Sequence, residues 1–271
     1  MVRPSSSQVV RLGSPQVRLR IGVVDYLNAY PLWAALEEPG FAGAVQLVRG
    51  VPSFLAGELL AGRVDAALIS SVEYLRHRER LDYHPGLCIS AEREVRSIRL
   101  FVRNLDQPFT EQLRNIHTIY TDVSSRSSVA QLQVMLTELN ANPALEEVTG
   151  AGERIADLKD REALLSIGDT ALTHINHPSY DLQREYFTLF SHGFVYALWV
   201  FQQGLSDDIV PMLSRAHDVY QSDQPRYLHL ATERFGFPAE FTQVYLSEII
   251  HHHLSAERKA DLDFFAAKLK I

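Results

Sequence analysis

Cysteine is almost missing from this chain: Cys88 stands alone among 271 residues. A single thiol can neither close an intramolecular disulfide nor build a cysteine-rich zinc site, and the count fits a reducing compartment. Long apolar runs are missing as well. Nothing approaches the roughly 18 consecutive apolar residues of a membrane-spanning helix, so no membrane association is expected. The first 17 residues, MVRPSSSQVVRLGSPQV, are polar, are interrupted by Pro4, Gly13 and Pro15, and lack the apolar centre of a secretory signal. They predict a flexible extension on a cytoplasmic protein. Basic charge is not in excess either. With 26 Lys and Arg against 33 Asp and Glu, the net charge of −7 argues against a nucleic-acid partner.

Several chemical signatures are also absent. Gly150-Ala151-Gly152-Glu153 lacks the third glycine of a dinucleotide fingerprint, and no Gly-Lys-Ser/Thr phosphate loop occurs, so no nucleotide cofactor is expected. No Gly-x-Ser-x-Gly elbow supports a serine nucleophile. His251-His252-His253, read as part of a helix over 238–253, would point in three directions and could not converge on a metal. His174 and His177 have a closer spacing but fall in a loop around Asn176-His177-Pro178. The expectation is therefore no metal and no cofactor.

What is present is a globular composition, 46% hydrophobic and 22% charged, in a chain long enough for two domains of ordinary size. Leu19 to Val24, Ala44 to Val48 and Val64 to Ile69 read as buried strands. Between them, Pro31 opens one helix and Val51-Pro52-Ser53 another, with Gly62 as a stop. Strand, helix, strand, helix, strand is a parallel α/β unit, in which ligands bind outside the carboxyl ends of the strands. Asn28, Ser70 and Ser71 fall at that edge. Leu87 to Ala91 and Ser97 to Val102 read as further strands, Leu145 to Val148 as an edge strand, Ala163 to Ile167 as a buried one, and Tyr196 to Phe201 as the last. Helices are expected near 206–221, 224–234, 238–253 and 255–270.

The stretch from 121 to 128, Thr-Asp-Val-Ser-Ser-Arg-Ser-Ser, follows the apolar run Ile116 to Tyr120. It precedes a helical face of Val129, Leu132, Met135, Leu136 and Leu139. Ser124 or Ser125 suits the N-cap, and the free N–H groups of a helix start, with hydroxyls and the Arg126 guanidinium, suit a carboxylate. An ordinary capped helix with Arg126 in water fits the same spacing, which leaves both open.

Taken together, Ile21-Gly22-Val23-Val24-Asp25-Tyr26-Leu27-Asn28-Ala29-Tyr30-Pro31-Leu32, Val51-Pro52-Ser53, Val64 through Tyr74, Pro85-Gly86-Leu87-Cys88-Ile89 and Val95-Arg96-Ser97-Ile98 form an ordered series. The serine-rich turn, Leu165-Ser166-Ile167-Gly168-Asp169 and Phe194 through Trp199 complete it. From about residue 19 to 270 the series resembles chorismate dehydratase of the futalosine route to menaquinone. The resemblance implies an α/β, two-lobed periplasmic-binding-protein-like (type II) fold with a ligand cleft. The lobes are expected at 18–95 plus 196–271 and at 96–195. It also implies a small-molecule substrate, chorismate, handled by a monomer or homodimer. The sister dihydroxynaphthoate synthase shares the fold but usually opens with a Ser-Pro-x-Pro-Asn-Asp type of strand end, where this chain has Asp-Tyr-Leu-Asn. A solute-binding protein for a small carboxylate is the other alternative. Ser191-His192-Gly193 departs from the family pattern, so His192 takes no family role.

By resemblance Asn28 and Ser97 flank the reacting centre. The helix start at Ser125, Arg126 and Ser127 is expected to clamp one carboxylate, with Ser70 and Ser71 at the other end. Asp169 is a possible proton acceptor beside the substrate's own enolpyruvyl carboxylate. The alternative for Asp169 is an N-cap for a helix starting at Thr170.

Overall fold

Eleven strands form in a computed structural model that describes residues 18–123 and 126–271, most of them from apolar runs. Ser124, Ser125 and the expected extension at 1–17 lie outside the described residues. The strands are β1 (Leu19–Val23), β2 (Val45–Arg49), β3 (Ala66–Ser70), β4 (Leu81–Ala91), β5 (Ile98–Val102), β6 (Thr118–Asp122), β7 (Ala144–Val148), β8 (Glu162–Ile167), β9 (Ser179–Asp181), β10 (Phe194–Gln202) and β11 (His251–His253). Helices α1 (Tyr30–Trp33), α2 (Pro52–Leu60), α3 (Ser71–His77), α4 (Phe109–Asn115) and α5 (Arg126–Glu138) belong to the first half. They are followed by α6 (Ala151–Arg154), α7 (Gly168–Thr173), α8 (Leu182–Phe190), α9 (Ser206–Ser222), α10 (Gln224–Phe235), α11 (Ala239–Val244) and α12 (Ala256–Leu269). No helix among the described residues is long and apolar enough to cross a membrane.

The strands assemble into two mixed sheets. The first has the order β11-β4-β10-β3-β1-β2 and the second β7-β6-β8-β5-β9. In the first, β1 pairs in parallel with β2 and β3, as a strand–helix–strand unit requires. In the second, β6 pairs in parallel with β7 and β8. The chain leaves the first sheet after β4, and β10 returns to it antiparallel between β3 and β4. Gly22 in β1 sits where β1 meets β3. A Cβ there would lie 2.8 Å from the Ala67 Cβ and 3.0 Å from a Leu55 methyl, so only glycine lets strand and helix approach this closely.

Apolar faces of both sheets and the C-terminal helices form the core, with Trp33, Trp199, Phe194, Phe201 and Phe265 fully buried. Each such side chain contributes on the order of 2 to 3 kcal/mol by leaving water. Helices α9, α10 and α12 match the expected segments, and α1 and α2 carry proline in their first turns.

Two expectations fail. The helix read over 238–253 stops early: α11 passes into a π-turn at Tyr245–Ile249, and His251 to His253 form β11 on the edge of β4. The three histidines alternate along a strand, with only His252 buried, so the helical geometry invoked for them does not apply. Asp169 is not an N-cap either. Helix α7 starts at Gly168, two residues before Thr170, with Ile167 at the N-cap, and the Asp169 carboxylate turns away to another element.

His192 also finds its partners. Its Nδ1 lies 3.0 Å from Asp261 Oδ1 and its ring stacks on Phe264. Asp261 also accepts from Gly193 N–H and from buried Arg258, which reaches Glu92 as well. The departure at Ser191-His192-Gly193 thus serves to dock α12.

Candidate functional site

The carboxyl ends of β1, β3 and β8 face the start of α5 across a cavity of about 70 Å³. Val24, Leu68, Ile89, Ile98 and Ile167 supply apolar wall, and Tyr26, Asn28, Ser70, Arg126, Ser127 and Ser128 supply the polar groups. Mostly apolar walls with a few convergent polar groups are what a small-molecule site requires. Among the described residues Arg126 is the only charged side chain in the lining, so the cavity favours an anion. Arg126 is exposed at the mouth and also lies 3.9 Å from Glu147 on β7, a pair open to solvent and easily exchanged for a ligand.

Asn28 sits in the single 3-10 turn Leu27–Ala29 that follows β1. The turn is held from three sides. Leu27 N–H donates to Asp169 Oδ1 at 3.1 Å, from the other sheet. His252 Nε2–H donates to the Asn28 carbonyl at 2.8 Å. Burial pushes the His252 pKa down to about 4, so the ring stays neutral and keeps that tautomer. From the π-turn, the Tyr245 hydroxyl approaches both Ser97 and the Asn28 side chain. Among the described residues neither Ser97 Oγ nor Tyr245 Oη completes a hydrogen bond of ordinary geometry, although both are fully buried. Burial pushes the Tyr245 phenol far above its ordinary range, so it remains a donor.

Ser97 lies at the crossing between sheets. Its carbonyl accepts from Gly168 N–H at 2.8 Å, and Arg96 before it has φ of +58°, a left-handed conformation uncommon for a residue with a side chain. That turn is tied down by the buried Asp181 carboxylate, which accepts from Val95 N–H and Arg96 N–H while also capping α8. Gly168 is itself left-handed, with φ of +64°, and a Cβ there would lie 3.2 Å from the Tyr26 ring across the cleft. Here the two sheets touch through a glycine face.

Expected site residues are therefore distributed as follows. Asn28, Ser70, Arg126 and Ser127 line the cavity together. Ser71 lies behind the wall, fully buried, and donates to the Val195 carbonyl. Ser97 lies behind Asn28 and Tyr245, outside the immediate lining. Asp169 also stands outside the lining, on Leu27 N–H, and burial raises its pKa to about 6. Ser125 is outside the described residues. Sequence reading passed over Tyr245, His252 and Tyr196. Tyr196 lines the cavity, gives its carbonyl to Ser127, and points its hydroxyl at a buried Gln131–Gln183 pair. Residues like these read as core aromatics or a histidine run, and no local signal separates them from packing.

Solved structures share the architecture. A protein of Archaeoglobus fulgidus matches with a TM-score of 0.73 at 12% identity, covering 93% of this chain and 97% of its own. The alkanesulfonate-binding protein of Xanthomonas axonopodis pv. citri, bound to MOPS, matches with a TM-score of 0.66 at 16% identity over 95% of each chain. At these identities the likeness establishes the fold, which is periplasmic-binding-protein-like.

In sequence, a chorismate dehydratase of Campylobacter jejuni is 24% identical over 261 residues, covering 92% of this chain and 96% of its own. A chorismate dehydratase of Thermus thermophilus is 30% identical over 152 residues, a match spanning 56% of this chain and about half, 51%, of that relative. The profile of a family described as menaquinone biosynthesis matches residues 19–270, a span that holds every element around the cavity, and the chain belongs to that family.

Proposed function

We propose that this protein dehydrates chorismate to 3-[(1-carboxyvinyl)oxy]benzoate, acting as a carbon–oxygen lyase in the futalosine branch of menaquinone biosynthesis in the cytoplasm. The observation that carries this reading is the meeting of Asn28, Ser70, Arg126 and Ser127 on one cavity. The chain around that cavity matches a chorismate dehydratase along nearly that protein's whole length.

The reaction removes the C3 hydrogen and the C4 hydroxyl and leaves an aromatic ring. The C3–H is acidic through the ring double bond conjugated with the ring carboxylate, so negative charge develops on that carboxylate as the proton leaves. A guanidinium and helix-start N–H groups already aimed at the carboxylate stabilise that charge without reorganising. Arg126 and the first turn of α5 take this role. Asn28, backed by Tyr245 and Ser97, then supplies donors to the departing hydroxyl. The proton acceptor on the protein side would be Asp169, but its carboxylate is engaged by Leu27 N–H and lies outside the cavity wall. The substrate's own enolpyruvyl carboxylate is the better-placed base. The lobes we assign to 18–95 with 196–271 and to 96–195 would close around the substrate and exclude water.

Purified protein incubated with chorismate and followed by NMR tests the reading directly. New aromatic proton signals of the product are expected. Asn28→Ala should lower kcat by about 100-fold or more, the scale of a lost transition-state donor, and Ser97→Ala, which removes support behind Asn28, by about tenfold. Arg126→Ala should chiefly raise KM. Full activity in Asn28→Ala or Ser97→Ala removes that residue from the mechanism, and binding of chorismate without turnover favours a solute-binding protein instead.

A further inference from the structure

The hydrogens of three buried serines can be counted. Ser70, Ser71 and Ser127 are 4%, 0% and 5% exposed and meet where the end of β3 touches the start of α5. Each hydroxyl has one hydrogen to give and two lone pairs to receive with. Two of the hydrogens are claimed by main-chain carbonyls, which can only accept: Ser71 donates to Val195 O at 2.6 Å and Ser127 donates to Tyr196 O at 2.7 Å. Those carbonyls are available for a structural reason. The ladder between β10 and β4 shifts register between Val195 and Ala197, skipping Tyr196, and the last β3 pair is Ala197 with Ser70.

With its own hydrogen committed, Ser127 can take part in the 2.6 Å contact with Ser70 only as acceptor. The hydrogen in that contact is therefore Ser70's. The looser 3.2 Å approach of Ser71 to Ser127 then carries no hydrogen at all. A one-way chain results, from Ser70 to Ser127 to Tyr196 O. Ser70 and Ser127 both line the cavity, and both present it with lone pairs only.

From this geometry we infer that Ser70 reads a hydrogen-bond donor on the ligand and does not hold a carboxylate. A carboxylate against Ser70 would set oxygen lone pairs against oxygen lone pairs, whereas a hydroxyl donates into them. Resting on the dehydratase reading above, the group received there is the ring C4 hydroxyl of chorismate. Its hydrogen turns toward Ser70, which leaves the oxygen lone pairs facing the Asn28 side. The ring carboxylate falls to Arg126 and the helix start. Ser70 thus makes the cavity prefer the hydroxylated substrate over the aromatic product, which has lost that hydroxyl and keeps both carboxylates.

Two variants separate this from a carboxylate-holding role. In Ser70→Ala the KM for chorismate should rise roughly five- to tenfold, the scale of one neutral hydrogen bond. The inhibition constant of 3-[(1-carboxyvinyl)oxy]benzoate should change less than about twofold. In Ser127→Ala the Ser70 hydrogen is released and can turn into the cavity as a donor. The product should then bind more tightly relative to chorismate than in the wild type. Equal weakening of chorismate and product in Ser70→Ala, or no weakening of either, overturns the inference. Failure of the dehydratase reading shows separately, as a wild type that does not turn chorismate over. The direction of the bond is then read by neutron diffraction of ligand-free crystals: a hydrogen on Ser70 Oγ aimed at Ser127 supports the inference, and one aimed into the cavity refutes it.

Discussion

Asp169 shows how burial and a single cross-sheet hydrogen bond set the behaviour of one side chain. Its carboxyl is pushed from the ordinary 3.8 up to about 6, chiefly by desolvation, with Leu27 N–H pulling the other way and nearby Asp25 adding to the rise. Between those two values the folded protein holds a proton that the unfolded chain has released, so stability falls as pH rises from about 4 to 6 and is level above that. Asp169→Asn keeps an oxygen acceptor for Leu27 and removes the charge. Urea unfolding from pH 4 to 8 should show the variant gaining on the wild type as pH rises, with the gap constant above about pH 6. Parallel curves would show that the carboxyl is not strained. Asn28 and Ser70 could be set at one edge from sequence because they follow strands of a parallel unit, and Ser127 because it opens a helix, whereas the cavity they share is seen only in the structure. Asp169 was misjudged because a capping aspartate and one reaching across 142 positions look the same in a string of letters.

The segment from Tyr245 to His253 was the least legible element, and it matters most for holding Asn28. A helix is expected from sequence over 238–253, straight through the histidines. Instead the π-turn ends at Ile249, and β11 exists because the edge of β4 offers backbone groups at Ser90 and Leu87 to His251 and His253. Three consecutive histidines carry no strand propensity of their own; tertiary pairing overrides the local preference. π-turns inside helices frequently mark functional positions, and this one aims the Tyr245 hydroxyl at Ser97 and Asn28. Tyr245→Phe removes only that oxygen. We expect kcat for chorismate to fall about tenfold with KM changed less than about twofold and the unfolding temperature nearly unchanged. An unaltered kcat would mean the hydroxyl does not position its neighbours.

Taken across its full span, the molecule depends on how firmly the two crossings between sheets are tied. Asp181 ties the first crossing by receiving Val95 and Arg96 N–H. Asp261 ties the second, gathering His192, Gly193 N–H and Arg258, while Arg258 reaches back to Glu92 beside the first crossing. Both carboxylates are buried and well supplied with donors, which is the condition for a buried charge to be tolerated. Asp261→Ala would leave the Arg258 guanidinium with Glu92 alone, and denaturant unfolding should report a loss on the order of 3 kcal/mol. Because the cluster lies apart from the cavity wall, KM for chorismate should stay close to the wild-type value. A loss of affinity as large as the loss of stability would indicate that the crossings also set the width of the cleft.

Hydrophobic periodicity, proline and glycine punctuation and an ordered series of short motifs were enough to place most strands and helices, the two-lobed fold and the family. Those signals are local, and each needs only a few neighbouring residues to be read. The direction of the Ser70 hydrogen bond, the partner of Asp169, the strand formed by His251 to His253 and the support given to Asn28 by Tyr245 and His252 are not local. Each depends on groups that meet from opposite ends of the chain, and on which buried donor is left for which buried acceptor once the backbone has taken its share.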